Sequence, residues 1–365
     1  MTNEKTVNEK PGKRPTTGAK GAPIKNIDMA TVKRLFGYFR GYRAKMIFVI
    51  VCIVLSTLAS VSSSLFLKSL IDDYIEPLIG QAAPNFTPLI WALCGMACLY
   101  LIGILSSLFY NRVMAEVTQG VLKNVRDDMF EHMQTLPVKY FDTHSHGDVM
   151  SYYTNDADAL RMMLSQSLPQ VIQSILTIVF VSVSMLYQSF LLTAIVLVFS
   201  FFMMKLVGAV AGKSSGYFMS AQRSIAGMNG YIEEMINGQK VVKVFNHEEK
   251  AKEAFDGRNG ELCSNVTNAN KYANTLMPLM NGLGYVLYVI IAIVGGTLAI
   301  KGVTNVGLSG VNVLTLGVIA SFLQLSRSFC QPIGQVSQQI NSVIMAISGA
   351  KRIFELIDEP SEEDT

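Results

Sequence analysis

The sequence predicts an all-α, polytopic membrane protein, and three observations carry that expectation. Half of its 365 residues are hydrophobic, only 16% are charged, and the apolar residues gather into runs of about twenty, the length that crosses a bilayer as a helix. An ordinary soluble domain carries about a quarter charged residues. Mean hydropathy is positive as well, so the bilayer is the expected solvent.

Six runs qualify as spans: 45–67, 88–110, 168–187, 189–211, 275–300 and 311–333. The third and fourth meet at Leu186, Tyr187, Gln188 and Ser189, which leaves room only for a tight turn and makes them a membrane hairpin. The linkers at 111–167 and 212–274 are long and keep helical patterning with few Pro or Gly interruptions. Helices are therefore expected to continue past the membrane there, as a stalk of about 25 Å over some seventeen residues of each helix.

Orientation follows from the basic residues, because loops rich in Lys and Arg stay cytoplasmic. Eleven of the thirty Lys and Arg lie between Lys5 and Lys45, and the two long linkers carry five and eight more. The opposite loops are poor in basic residues: the first offers Asp72, Asp73 and Glu76, and the last has only Lys301. Both termini are expected on the cytoplasmic side of the plasma (inner) membrane. Residues 1–28 contain no apolar segment of the kind a signal peptide needs and read as a disordered cytosolic tail. The five cysteines, Cys52, Cys94, Cys98, Cys263 and Cys330, are scattered and form no disulfide framework. Cys94 and Cys98 are one helical turn apart, but no His or further Cys stands by to complete a metal site.

Two interruptions mark the far ends of the long linkers. In the first, at 136–151, Pro137 breaks the incoming helix. Asp142 or Thr143 is expected to cap a short crosswise helix, Gly147 to let the backbone turn again, and Asp148 to open the next long helix. Tyr140 and Phe141 would then be aromatic knobs at the tip, placed to fill a partner's pocket. The second interruption spans 237–246, with Gly238 at the break, Lys243 and Phe245 in an apolar and aromatic patch, and Glu248, Glu249 and Lys250 following. His144 and His146 beside Asp142 and Asp148 are read as interface and capping residues rather than metal ligands.

The six-run pattern, the Phe141-Asp142 and Gly147-Asp148 turn with Thr154-Asn155-Asp156 after it, and the Lys243-Val244-Phe245-Asn246 turn resemble those of ATP-binding-cassette exporters, from about Ile27 to the C-terminus. The resemblance implies that the two turns are coupling helices docking onto nucleotide-binding domains, the second onto that of the partner subunit. It also implies a homo- or heterodimer whose subunits exchange their fourth and fifth segments, and alternating-access export of an amphiphilic small molecule, lipid or peptide. ATP and Mg2+ would be held by the nucleotide-binding domain. The stretch from Gly349 to Asp358 resembles the lead into such a domain, so the expected organisation is a tail at 1–28, a membrane domain at 29–347 and the start of a linker at 348–365. No phosphate loop is found. The nearest stretch, Gly208 to Ser214, has three residues between its glycines where the motif needs four, so the chain is expected to be a fragment of a longer subunit that carries the cassette, the alternative being a cassette supplied separately. Membrane lipid is a partner; nucleic acid is not expected to be one.

The sixth run carries polar residues at helical spacing: Gln324, Ser328, Gln331, Gln335 and Gln338 share a face, with Arg327 beside them. An arginine near mid-membrane costs about 2.5 to 3.5 kcal/mol on insertion scales, which favours a translocation path over helix cross-linking. Pro332 frees a backbone carbonyl in the same run and is expected to act as a hinge. Ser56, Ser60 and Ser63 form a shorter stripe that close helix packing explains equally well, and Asn85-Phe86-Thr87 is a glycosylation match too short to weigh. A secondary carrier or channel would need buried acids for ion coupling, and Asp and Glu are missing from the cores of all six runs. A non-transporting scaffold or receptor is the other alternative.

Overall fold

The computed structural model describes residues 29–79, 84–308 and 310–362, except the side chains of residues 305, 311, 312, 337, 338, 340 and 341. The tail expected at 1–28 lies outside the described residues. The helices are α1 (Met29–Gly37), α2 (Arg43–Ser69), α3 (Thr87–Met133), α4 (Val138–Thr143), α5 (His146–Ser151), α6 (Ala157–Met162), α7 (Leu168–Gln188), α8 (Phe190–Val244), α9 (Glu248–Ile300) and α10 (Leu316–Ile357). Two strands, β1 (Thr304–Gly307) and β2 (Gly310–Val313), pair antiparallel. Turns of π-helix at Tyr152–Asp156 and Met163–Ser167 join α5, α6 and α7.

Among the described residues, five helical stretches are long and apolar enough to cross a membrane: Met29–Leu78, Thr87–Met133, His146–Gln188, Phe190–Val244 and Glu248–Ile300. The protein is thus an integral, multi-pass, all-α membrane protein. The run expected as the sixth span begins later than the sequence suggests. Val311 belongs to β2, and α10 starts at Leu316. Gln324, Arg327 and Gln331 dilute its apolar character, which sets it apart from the other five. Helices α3, α8 and α9 hold 47, 55 and 53 residues. At 1.5 Å per residue each is longer than the ~30 Å hydrocarbon core demands, as the expected extensions require.

The chain folds as two compact units. Among the described residues, one comprises 29–49, Asn111–Pro169 and 337–362; the other falls within Ile50–Tyr110 and Gln170–Val336. In the first unit, Met114, Val117, Val121, Leu122, Val125 and Met129 of α3 are all buried, a stripe at helical spacing. The Tyr42 hydroxyl sits where a Cβ on Gly120 would fall, so the glycine admits the ring. Arg34 bonds Asp358 at 2.6 Å and lies 4.5 Å above the Phe354 ring, while Tyr38 donates to Asp128 at 2.6 Å. Beyond α10 the chain runs back along the end of α3: the Glu362 amide donates to Thr135 O at 2.8 Å, and His132 Nε2 lies 2.7 Å from Glu359 O.

In the second unit, Val181, Met185, Leu192, Val196, Leu287, Ile291, Val318, Phe322, Leu325 and Phe329 close one apolar core. The turn between α7 and α8 is the tight one expected, a single extended residue, Ser189, whose hydroxyl accepts from the Leu192 amide at 3.3 Å. The Leu308 amide donates to Leu186 O at 3.1 Å, which seats the β1–β2 hairpin on that turn. At the start of α10, Asp72 accepts from Thr315 Oγ1 at 2.5 Å and from the Gly317 amide at 2.9 Å. A Cβ on Gly317 would stand 2.3 Å from Asp72 Oδ1 and 2.7 Å from Lys68 O, the latter backbone that cannot rotate away. Gly317→Ala is therefore expected to lower stability by about 1 to 3 kcal/mol, read as thermal unfolding in detergent. Gly282→Ala, which meets nothing within 4 Å, should not.

Candidate coupling elbows and polar stripe

The first elbow begins where α3 ends at Met133 and three non-helical residues lead to Pro137, which takes the N-cap of α4 in extended conformation. Proline suits that place because its missing amide would have no helical acceptor. The short helix is present, but Asp142 and Thr143 end it rather than cap it. The cap of the following helix is Ser145, whose hydroxyl accepts from the Asp148 amide at 3.1 Å and donates to Asp148 Oδ2 at 2.8 Å. Gly147 lies inside the first turn of α5, and the chain turns at His144 and Ser145 instead.

Tyr140 is not a free knob. Its side chain is 7% exposed, stacked 4.1 Å from the His144 ring and edge-on to Phe141. Burial, with smaller contributions from Tyr152 and Glu359, pushes its phenol up to about 12. Phe141 is half-buried, and the elbow's exposed apolar side chains are Val138 and Met150.

The second elbow is sharper than the sequence suggests. Gly238 lies within α8, which runs unbroken to Val244, and Lys240 to Lys243 are helical. The reversal takes Phe245, Asn246 and His247, with Asn246 at a positive φ of 52°, a conformation asparagine tolerates better than most residues. Lys243 and Glu248 close the elbow with an ion pair of 3.3 Å. Val241, Val244 and Phe245 are 60%, 76% and 67% exposed.

Along α10, Gln324, Arg327 and Gln331 are exposed, while Phe322, Leu325 and Phe329 on the other face are buried. Ser328 and Gln335 flank the exposed stripe half-buried, and Gln335 accepts from Gln170 of α7 at 2.9 Å. The Gln338 side chain lies outside the described residues. Among the described residues no carboxylate pairs with Arg327. Pro332 is buried inside α10, where it leaves Ser328 O without its helical donor. Gly334, two residues on, lets Met280 of α9 approach: a Cβ there would stand 2.8 Å from its methyl carbon.

Sequence reasoning passed over the Asp156–Arg352 pair. Asp156, 3% exposed on the π-turn, takes bonds to both oxygens from the Arg352 guanidinium of α10. Gly349, one turn earlier, brings α10 against it, since a Cβ there would lie 3.2 Å from the Asp156 Cβ. The residues are 196 apart in sequence, and only the unusual acid in a helical run signalled the first.

The stretch from Gly208 to Ser214 does not form a phosphate loop. These residues lie within α8, where their amides serve the helix and cannot curl around a phosphate. Among the described residues no three of His, Cys, Asp and Glu gather as metal ligands.

The described residues thus hold membrane-length helices, several longer than the bilayer, joined by short elbows. The chain belongs to the family described as ABC transporter transmembrane region, which it matches over residues 46–343. It is 29% identical over 347 residues to an ABC transporter ATP-binding protein, YfiC, of Bacillus subtilis, covering 95% of this chain and 55% of that one. It is 30% identical over 264 residues to a fatty acid ABC transporter ATP-binding/permease protein of Mycobacterium bovis, covering 72% and 40%. With an ATP-dependent lipid A-core flippase of Idiomarina loihiensis it shares 27% over 342 residues, covering 92% and 55%. The chain thus spans about half the length of the curated relatives it matches.

Proposed function

We propose that this chain is the permease part of an ATP-driven exporter, moving an amphiphilic compound, lipid or peptide across the plasma (inner) membrane by alternating access. Residues 29–347 form the membrane domain, and 348–365 lead toward a nucleotide-binding domain. That domain holds ATP and Mg2+; this chain supplies the path and the two elbows that receive its motion. Both termini lie in the cytosol, and a second subunit, the same or related, completes the cavity.

The observation that carries the reading is α10: one face buried in the apolar core, the other presenting Gln324, Arg327 and Gln331. Polar side chains on a membrane helix are costly against lipid and are kept where they face water or cargo. Phe141, Asp142, Gly147, Asp148, Lys243 and Phe245 belong to the elbows, Tyr140 as the buried brace of the first, while Gly238 lies in α8 leading into the second. Pro332, with Gly334 beside it, is the hinge. Two of the relatives are named for a fatty acid and for lipid A-core, which suits an amphiphile here.

Reconstitution with its nucleotide-binding domain tests this. Vanadate-sensitive uptake of a labelled amphiphile supports the reading; ATP-independent flux favours a secondary carrier, and no flux a scaffold. In the same vesicles Arg327→Ala should change the uptake ratio of anionic to zwitterionic amphiphiles by about tenfold, the worth of one charge-assisted hydrogen bond. An unchanged ratio would reduce Arg327 to packing.

A further inference from the structure

The segment from Met29 to Lys45 contains five basic residues and no acidic one, and the structure divides those five into two sets. Arg34 and Lys45 turn inward, pairing with Asp358 at 2.6 Å and Glu116 at 2.5 Å. Lys33, Arg40 and Arg43 are exposed and have no ion-pair partner among the described residues. Met29 and Phe36, 74% and 51% exposed, alternate with them, so that Met29, Lys33, Phe36 and Arg40 step along the segment by four, three and four. Thr31, Leu35 and Phe39 are buried on the other side. Long cationic side chains set beside large apolar ones on an exposed surface suit a lipid interface, the charges staying at headgroup level while the apolar groups enter the acyl boundary. Chain continuity puts it there, since α2 begins at Arg43 and runs directly into the first apolar span.

We propose that this face is a binding site for anionic phospholipid headgroups, with Lys33, Arg40 and Arg43 holding the phosphodiesters and Met29 and Phe36 entering the upper acyl region. The occupant follows from charge complementarity: three exposed cations with no ion-pair partner among the described residues, at the foot of a membrane span, meet a leaflet whose charge is negative. The face is presented rigidly, because Arg34 on the inward side is bonded to Asp358 and stacked on Phe354. A guanidinium or ammonium near such a surface contributes about fivefold in partitioning per cation.

The test needs neither nucleotide nor substrate, so its failure is distinct from failure of the transport reading. The protein is extracted from vesicles of phosphatidylcholine with a minority of phosphatidylglycerol, and its retained lipids are counted by native mass spectrometry. Wild type is expected to retain phosphatidylglycerol preferentially. The triple variant Lys33→Gln, Arg40→Gln, Arg43→Gln should lose that preference, by about fivefold for each cation removed, while Lys250→Gln keeps it. Equal retention by the triple variant and wild type would overturn the proposal. So would displacement of the lipid by excess inorganic phosphate, which would mark a free-phosphate site. Independently of headgroup charge, Phe36→Trp in a Trp91→Phe background should be quenched by brominated acyl chains. Fluorescence indifferent to bromination would place the face away from lipid and sink the idea.

Discussion

Arg352→Ala is expected to destabilise this protein more than Asp156→Ala, although both remove the same ion pair. The asymmetry comes from burial: the Asp156 side chain is 4% exposed and the Arg352 side chain 53%. Removing the arginine leaves a buried carboxylate whose oxygens have no other bonded partner among the described residues. Leaving one buried charge unpaired costs about 3 kcal/mol or more. When the aspartate is removed instead, a half-exposed guanidinium turns to water and little beyond packing is lost, about 1 kcal/mol. Adding Asp156→Asn to Arg352→Ala should recover much of the loss, because the group left in the pocket is then neutral. Thermal unfolding in detergent, with the double variant as the closing corner of the cycle, reads these values. If the two single variants are equally destabilised, or Asp156→Asn gives no recovery, the pair is not buried as described.

The features a reader of the sequence could find are those written locally. A twenty-residue apolar run announces a span on its own, and Ser189 between two such runs announces the tight turn, because there is no room for anything longer. Pro137 announces the first elbow for the same reason, since a proline cannot continue the helix behind it. The second elbow was legible but misplaced. Gly238 attracted the break, yet a single glycine costs a helix only about 1 kcal/mol, and α8 continues through it. Asn246 followed by His247, Glu248 and Glu249 was the better signal, an asparagine at the helix end and acids at the start of the next. The sixth span was dated too early because 311–313 is apolar enough for either state, and strands of four residues are too short for alternation to declare itself. What no local pattern could show are the pairings across the chain. Asp72 and Gly317 are 245 residues apart, Asp156 and Arg352 are 196. Each looks like an ordinary loop or surface residue until the fold brings its partner.

Phe245→Ala is expected to separate ATP turnover from transport, and it is a cleaner test of the elbows than Phe141→Ala. Phe141 is half-buried and packs edge-on against Tyr140 at 5.6 Å, so its loss disturbs the elbow itself. Phe245 is 67% exposed beside Val244, and the Lys243–Glu248 ion pair closes the turn without it. Its removal should leave membrane insertion and thermal stability unchanged, exposed side chains away from special features being worth within about 0.5 kcal/mol. If the ring fills a pocket on the nucleotide-binding domain, truncation forfeits an anchor of about 2 kcal/mol, a loss of roughly thirtyfold in docking. Transport by the reconstituted transporter should then fall by about that factor while basal ATP hydrolysis persists, and Phe245→Leu, which keeps most of the apolar volume, should recover a large part of it. Should Phe245→Ala transport as wild type does, with hydrolysis equally unaltered, the second elbow does not receive force through this ring, and the docking contact must be sought at Val241 and Val244.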